Sequence, residues 1–218
     1  MQDTDQMEEL LKLMERLRSP DGCPWDQQQT HISIAKDLLE ESAELIEAIE
    51  TQDDHAMLEE LGDVLLQIVF HAHLARERGV FEFKDVVRSI SEKLVRRHPH
   101  VFGNTTIKGI DVVYEQWERI KKDEKSGTKM ERHSALDGVP MNMPALMRAQ
   151  KIFKKALKAG LLDEGEFPDK SITEQEIGTD LFRIAAIAQQ NGWDAETILR
   201  RVIREQEAIY RKREKINS

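Results

Sequence analysis

Apolar residues recur at intervals of three or four along most of this chain, and this helical period limits its fold more than any other feature. Over residues 5–18, for example, Met7, Leu10, Met14 and Leu17 fall on one side of a helix. Prolines, glycines and polar clusters interrupt the pattern, and no segment indicates a strand. Helices are predicted over residues 5–18, 31–49, 55–78, 82–97, 111–125, 145–159, 174–190 and 194–214. The sequence therefore predicts an all-α fold.

The composition agrees with a helical protein that has a heavily charged surface. Of the 218 residues, 39% are hydrophobic and 33% are charged, and only 11 are glycine and 6 proline. A chain of this length is sufficient for one large domain or two small ones. The net charge of -9 argues against general nucleic-acid binding, because that binding depends on Lys and Arg side chains that neutralise phosphates.

The single cysteine and the polar N-terminus bear on the cellular location. Cys23 has no second cysteine with which to form an internal disulfide, which fits a reducing compartment. No apolar run approaches the roughly 20 residues that a membrane-spanning helix needs. The opening residues MQDTDQMEELL do not resemble a signal peptide. We therefore expect a cytoplasmic protein without a membrane partner.

Five carboxylates share helix faces on two successive predicted helices. This acidic set comprises Glu40, Glu41 and Glu44 on the first helix and Glu60 and Asp63 on the second. Positions three or four apart lie on the same face of a helix. If the two helices fold back around a turn near Gln52, Glu44 becomes level with Glu60. By the same symmetry Glu41 becomes level with Asp63, so that four carboxylates converge on one patch.

Carboxylates that lie this close repel one another, so the patch needs cations. No Lys or Arg occurs between Asp37 and Gln67 to supply positive charge. Hard divalent cations bind carboxylate oxygens, and Mg²⁺ combines a few of them with waters and substrate phosphates. The apolar neighbours expected to bury the patch are Leu38, Leu45, Ile49, Leu61 and Leu65. Mg²⁺, with Mn²⁺ as a substitute, is the predicted cofactor.

The residue types around the acidic set argue against two rival metal sites. A di-iron bundle would need Glu-x-x-His pairs, and none of the seven histidines has a Glu three residues before it. An EF-hand would need a characteristic acidic loop, which the sequence lacks. The remaining alternative is that these residues are ordinary solvated helix charges, although the two level pairs and the absent Lys and Arg argue against it.

Two short motifs and four longer segments occur in the order of a known family. EESAE at 40–44 and EELGD at 59–63 match the pattern EExxE…ExxD. The longer segments are LRSPDGCPWDQQQTH at 17–31, EKLVRRHPHVFG at 92–103, YEQWERIKKDEK at 114–125 and HSALDGVPMNMPALMRAQKI at 133–152. Together they resemble the MazG family of all-α nucleoside triphosphate pyrophosphohydrolases. The resemblance extends over residues 7–152.

The resemblance implies an enzyme that hydrolyses a nucleoside triphosphate, or its deoxy form, to the monophosphate and pyrophosphate. It also implies a helical bundle that is completed by dimerisation and holds Mg²⁺. The metal ligands implied by the motif are Glu41, Glu44, Glu60 and Asp63. Glu40 is either an added ligand or the group that orients a water, so Glu40 and Glu41 are the predicted catalytic residues.

Basic and aromatic residues are the candidates for contact with the nucleotide. The predicted substrate-binding residues are Trp25, Lys93, Arg96, Arg97, Trp117 and Lys121. The resemblance assigns phosphate contact to Lys93 and Arg97, and Arg96 shares their helix face. Trp117 and Lys121, one helical turn apart, would combine a base platform with a phosphate contact. The alternatives are a solvated basic helix end, core packing of Trp117, and a loop-anchoring role for Trp25.

The C-terminal half contains a weak repeat of the first half in which the acidic set is depleted. Glu60 and Asp63 correspond there to Glu176 and Thr179, and no EExxE helix precedes them. The predicted organisation is a MazG-like catalytic domain over 1–125, a linker over 126–144 and a degenerate second MazG-like helical domain over 145–218. We expect one catalytic centre per chain, in the first half.

Two other functions stay open at this point. A dUTP or phosphoribosyl-ATP pyrophosphohydrolase would use the same metal site with a different base pocket. A non-catalytic helical interaction protein would carry the acidic set as a surface feature. A P-loop enzyme is not indicated, because no Gly-rich Walker loop occurs. The predicted partners are a nucleoside triphosphate and further copies of the chain, as a homodimer or higher homo-oligomer.

Overall fold

The computed structural model describes residues 2–104, 109–128, 131–163, 165 and 171–217, and these ranges contain helices and no strand. The helices are α1 (Gln2–Arg18), α2 (Pro24–Gln28), α3 (Ala35–Thr51), α4 (Asp54–Glu77), α5 (Phe83–Arg97), α6 (Pro99–Phe102), α7 (Ile110–Asp123), α8 (Ala145–Lys158), α9 (Glu174–Gln190) and α10 (Ala195–Asn217). All eight predicted helices are present, which confirms the all-α fold class. No helix in the described ranges is long and apolar enough to cross a membrane.

The structure adds two short helices, α2 and α6, that the apolar period does not predict. They begin at Pro24 and Pro99, whose fixed φ suits the first turn of a helix. Helix α3 begins at Ala35 rather than at the predicted residue 31, because a hydrogen-bonded turn precedes it. In that turn the backbone N–H of Thr30 donates to Oγ of Ser33 at 2.9 Å.

The helices form two compact units, residues 1–108 and 109–218. In the first unit, α1 and α3 both pack on α4. The buried core of this unit consists of Met14, Ile34, Val69, Phe70 and Leu74. Because a short turn joins α3 to α4, the two helices run antiparallel as a hairpin. This hairpin carries the whole acidic set.

The turn of the hairpin lies at Gln52, as predicted. Gln52 follows the last residue of α3 and has a φ of 57°, in the left-handed region that ends many helices. The side chain of Asp53 then caps α4: its Oδ1 accepts hydrogen bonds from the backbone N–H groups of His55 and Ala56 at 3.0 and 3.1 Å. This cap satisfies two of the otherwise unpaired N–H groups at the start of α4.

In the second unit, α8 and α10 pack together around an apolar core. The core residues are Leu136, Ala145, Ile152, Ala156, Leu161, Ile203 and Tyr210. Leu136 comes from the segment predicted as a linker, so part of that segment is packed into this unit. Helix α9 has one buried residue, Ala188, which is not among these core residues. The domain boundaries at 125 and 144 stay predictions.

Candidate metal centre

Glu41 of α3 and Glu60 and Asp63 of α4 meet across the hairpin. One carboxylate oxygen of each lies within 4.8 Å of the others, and we call these three residues the acidic triad. All three side chains are half-buried. No described residue donates a hydrogen bond to the buried Oε2 of Glu60. A buried oxygen without a donor is unfavourable, so the triad has unused capacity to coordinate a ligand.

Burial and mutual repulsion raise the pKa of two triad carboxyls. The pKa of Glu41 lies above its ordinary value, first because of desolvation and then because of repulsion from Asp63 and Glu44. The pKa of Glu60 is also raised by desolvation, and Glu44 is its strongest charged neighbour. The strongest charged neighbours are thus Asp63 for Glu41 and Glu44 for Glu60. These are the two pairs that the sequence places level across the hairpin.

Glu40 and Glu44 lie at the edge of the triad. Both side chains are exposed. Repulsion from Glu44 contributes to the raised pKa of both Glu41 and Glu60, and repulsion from Glu40 contributes to that of Glu41. The structure therefore brings the acidic set into one region of the hairpin, with three members in close approach and two beside them. Their roles as ligands or catalytic groups stay predictions.

The acidic set is more open than predicted. Ile49 and Leu61 are 53% and 51% exposed, whereas Leu38, Leu45 and Leu65 are partly buried. The expectation that apolar neighbours bury the patch is therefore wrong for two of the five residues. The physical reason is that each helix of a hairpin covers only one side of the other, so that apolar residues on the remaining side face outward.

The donor atoms of the triad suit a hard divalent cation. Carboxylate oxygens are the preferred ligands of Mg²⁺ and Mn²⁺, and a bound cation would remove the repulsion within the triad. The triad includes no histidine or cysteine, the ligands that softer transition metals prefer. The residues present therefore fit a divalent metal as the cofactor.

The predicted phosphate-binding residues lie on α5, in the same unit as the triad. Lys93 is half-buried and borders a shallow groove along α5. Arg96 is exposed and Arg97 is half-buried, both in the last turn of the helix. Their spacing places all three on one helix face. Their contact with phosphate stays a prediction.

Trp117 and Lys121 lie one turn apart on α7, which belongs to the second unit. Lys121 donates to Oε1 of Glu118 at 2.8 Å, and this contact lowers the pKa of Glu118. The half-buried Trp117 packs edge-to-face on Tyr114, with ring centroids 5.8 Å apart. Trp117 and Lys121 therefore lie on one helix, and their contact with a nucleotide stays a prediction.

Trp25 lies on α2 and is 59% exposed. Arg18 joins this region to α4, because its guanidinium donates both to the backbone carbonyl of Asp26 and to the carboxylate of Glu77. Glu77 follows Asp63 by 14 residues, which corresponds to about 21 Å along a helix. Both roles of Trp25, contact with the base and anchoring of the loop, stay predictions.

Two contacts at the end of the hairpin opposite the turn could not be predicted from the sequence. Arg18 and Glu77 form a bidentate ion pair with N···O distances of 2.8 and 2.7 Å. The Nδ1 atoms of His31 and His71 lie 2.8 Å apart, and the two rings are stacked. The members of each pair are 59 and 40 positions apart, so no local spacing could have indicated either contact.

In the second unit, the counterpart of Glu60 has a structural role. The carboxylate of Glu176 accepts hydrogen bonds from the N–H and O–H of Thr173 at 2.8 and 2.7 Å, which closes a capping box at the start of α9. Asp180, one position beyond the counterpart of Asp63, pairs with Arg183 at 2.9 Å. Among the described residues, the triad is the one group of three side chains placed to hold a metal ion.

Comparisons with known proteins show the family of this chain. Residues 29–102 match the family model described as the MazG nucleotide pyrophosphohydrolase domain. The nucleoside triphosphate pyrophosphohydrolase/pyrophosphatase MazG of Thermotoga maritima is 42% identical, over 96% of this chain and 86% of its own. The nucleoside triphosphate pyrophosphohydrolase of Escherichia coli K12 is 38% identical, over 97% of this chain and 88% of its own.

A solved structure of a mazG-related protein from Thermotoga maritima is 27% identical, with a TM-score of 0.46, and covers 53% of this chain and 98% of its own. The matched domain includes the whole acidic set, and the identity to the curated relatives continues through both units. The chain therefore belongs to the MazG family of nucleoside triphosphate pyrophosphohydrolases.

Proposed function

We propose that the protein hydrolyses nucleoside triphosphates, or their deoxy forms, to the monophosphate and pyrophosphate through attack of water at the α-phosphorus. Family membership makes it a nucleoside triphosphate pyrophosphohydrolase. To that activity we add proposals for the metal, the site residues and the phosphorus atom that water attacks. The observation that carries the metal site is that one carboxylate oxygen each of Glu41, Glu60 and Asp63 lies within 4.8 Å of the others.

The acidic triad, with Glu44 beside it, is the proposed Mg²⁺ site. Bound Mg²⁺ would supply charge neutralisation to the triphosphate and lower the pKa of a coordinated water. The side chains themselves provide oxygen ligands on two helices, and a single turn fixes their register. Glu40 is exposed next to Glu41 and is available to accept a proton from the attacking water. This division assigns metal binding to Glu41 and water orientation to Glu40.

The remaining predicted residues would recognise the nucleotide. Lys93, Arg96 and Arg97 concentrate positive charge on one face of α5, which suits the phosphates. Trp117 with Lys121 would combine stacking on the base with a further phosphate contact.

A second copy of the chain is the proposed cover for the exposed face of the hairpin. The apolar residues of α3 and α4 that are at least 40% exposed are Leu39, Ile46, Ile49, Leu58, Leu61 and Ile68. A cluster of exposed apolar side chains on neighbouring helices is typical of a protein interface. Two such hairpins packed together would form a four-helix bundle, which supports assembly as a homodimer.

The test is product analysis with isotope-labelled water. The full chain is incubated with a panel of NTPs, dNTPs, dUTP and phosphoribosyl-ATP in Mg²⁺ or in EDTA, and the products are separated by ion exchange. We expect monophosphate and pyrophosphate in equal amounts, only with the metal, and oxygen-18 from water in the monophosphate. Label in the pyrophosphate would place the attack at the β-phosphorus. Turnover of no nucleotide with Mg²⁺ or Mn²⁺ would overturn the proposed activity.

A further inference from the structure

The chain itself connects the two helices of the hairpin at only one end, the turn at Gln52. Glu41 is 11 residues from the turn at Gln52, or about 16 Å along the helix. The one buried residue of α3 is Ala48, close to that turn. The first half of α3 has no fully buried side chain, so the contacts that hold the end of the hairpin opposite the turn can contribute to its distance from α4.

The end of the hairpin opposite the turn is held by the residues that precede α3, which we call the 19–34 segment. Its last residue, Ile34, is fully buried with Val69 and Phe70 of α4. His31 contacts His71 of α4 through their Nδ1 atoms, 2.8 Å apart. Ile34 lies seven residues before Glu41, or about 10 Å along a helix, so this anchor is closer to the triad than the turn is.

Arg18, which immediately precedes the 19–34 segment, connects the middle of that segment to α4. Its side chain is only 7% exposed, and it makes a bidentate ion pair with Glu77. The same guanidinium donates to the backbone carbonyls of Asp26 and Gln29 and lies over the ring of Phe70 at 5.4 Å. One charged group thus connects α1, α2, the segment before α3, and α4.

The carboxylate of Glu77 contacts two side chains, those of Arg18 and His73. Its hydrogen bond to Arg18 holds the pKa of Glu77 below its ordinary value, and Nε2 of His73 lies 3.2 Å from the same carboxylate. The Arg18 side chain is buried and that of Glu77 is 38% exposed. A bidentate pair fixes direction as well as distance, which a single lysine cannot do.

From these contacts we propose that Arg18 and Glu77 are a positioning pair, which holds the 19–34 segment on α4 and thereby sets the separation of Glu41 from Asp63 in the metal site. Mg²⁺ and Mn²⁺ require oxygen ligands within a few tenths of an ångström of their ideal positions. A loosened segment lets the first half of α3 move away from α4, and the triad then binds the cation more weakly. This inference rests on the proposed metal site.

The test measures Mn²⁺ binding by electron paramagnetic resonance without nucleotide, on the full chain. For Arg18→Gln we expect Mn²⁺ affinity to fall by more than about two-fold, because a looser spacing of the oxygen ligands weakens the site. Arg18→Lys keeps the positive charge but lacks the two parallel N–H donors of the guanidinium, so its loss of Mn²⁺ affinity should be smaller than that of Arg18→Gln. Glu77→Gln keeps one acceptor oxygen and should lose less Mn²⁺ affinity than Arg18→Gln. If Arg18→Gln does not fold, Glu77→Gln tests the positioning role in its place.

The matched control is Arg76→Gln, because Arg76 joins the same two helices through an exposed ion pair with Glu15 at 3.0 Å. That variant should bind Mn²⁺ like the wild type. Hydrogen exchange should also quicken at residues 35–41 in the Arg18 variant and not in the control. Mn²⁺ affinity within two-fold of wild type in a folded Arg18→Gln or Glu77→Gln protein would overturn the positioning role. Failure of the wild type to bind Mn²⁺ would instead overturn the metal site itself.

Discussion

Glu41 and Asp63 present carboxylate oxygens within 4.8 Å of each other although 22 positions separate them in the chain. The turn at Gln52 produces this approach, because it reverses the chain midway between the two. Asp63 is also the strongest charged neighbour of Glu41. The register of one turn therefore decides which carboxylates of the acidic set meet, and hence where a cation can bind.

Replacement of Glu60 by glutamine should change activity and stability in opposite directions. Glu60→Gln removes a proposed ligand, so kcat/KM should fall by roughly 100-fold or more, beyond the loss seen for supporting contacts. The same change removes one of the repelling charges, so the metal-free protein should need more urea to unfold. The control is Glu47→Gln on the exposed face of α3, which should leave activity unchanged. A Glu60→Gln protein with wild-type activity would contradict the assignment of Glu60 as a ligand.

Mg²⁺ should stabilise the protein more at neutral pH than at acid pH. Because the pKa values of Glu41 and Glu60 are raised above 4.5, the folded chain holds these protons more tightly than the unfolded chain. Their contribution to the free energy of unfolding is fully present below about pH 4.5 and is lost as the pH rises through the raised values. Bound Mg²⁺ compensates for that loss at pH 7, whereas at pH 4.5 protons compete with it.

Urea unfolding with and without Mg²⁺ at the two pH values measures this effect. The increase in the unfolding midpoint should be larger at pH 7, and Glu60→Gln should reduce the difference between the two conditions. An increase of the same size at both pH values would show that Mg²⁺ acts elsewhere on the chain.

Local patterns predicted the helices and the approach of Glu41 to Asp63, for identifiable reasons. The three- and four-residue period specifies each helix, and the polar residues Gln52 and Asp53 form the turn that aligns Glu41 with Asp63. The patterns could not indicate that Leu61 is half-exposed. A period shows which residues share a face, but it does not show whether the chain itself supplies a partner for that face.

Contacts between residues that are far apart in the sequence could not be predicted from local spacing. Arg18 and Glu77 each look like ordinary charges at the ends of helices, where such residues are common. Their pairing depends on the packing of α1 against α4, which no spacing encodes. The same holds for Leu136, which lies in a polar segment rich in turns and is nevertheless buried in the core of the second unit.

The contact between His31 and His71 should make stability fall on mild acidification. Burial, followed by the proximity of His31, lowers the pKa of His71 below 6.5. As the pH falls below about 6.5, the unfolded chain therefore takes up a proton before the folded chain does. The contribution of this group is present above that pH and is lost as the pH falls towards the lowered pKa.

Urea unfolding between about pH 7.5 and pH 5 measures this dependence. His71→Gln should unfold with a weaker dependence on pH in this range than the wild type. His55→Gln, which changes an exposed histidine near the start of α4, should keep the wild-type slope. Equal slopes for the wild type and His71→Gln would contradict the prediction.

The stability of the second unit should depend on Arg148. This side chain is 1% exposed and pairs with Glu207 of α10, which also accepts from Arg211 at 2.7 Å. Arg148→Met leaves Glu207 with one of its two cations, so we expect a loss of about 3 kcal/mol, the lower end for a broken buried pair. Arg183→Met, which breaks the exposed pair with Asp180, should change the free energy of unfolding by less than about 1 kcal/mol. Equal urea midpoints for the two variants would show that burial of the Arg148 pair adds nothing.

A charge placed on the exposed face of the hairpin should weaken self-association. Leu61 is 51% exposed, and Ile46 on α3 is 54% exposed, so Leu61→Glu and Ile46→Glu leave the buried core of the single chain intact. If a second copy covers this face, each variant must desolvate a carboxylate in an apolar interface, and sedimentation velocity should show a smaller species than for the wild type. Val80→Glu alters an exposed apolar residue in the α4–α5 connection and should sediment like the wild type. A wild-type sedimentation coefficient for both hairpin variants would mean that this face is not the interface, and the exposed apolar residues beside the acidic triad would then need a partner other than a second copy.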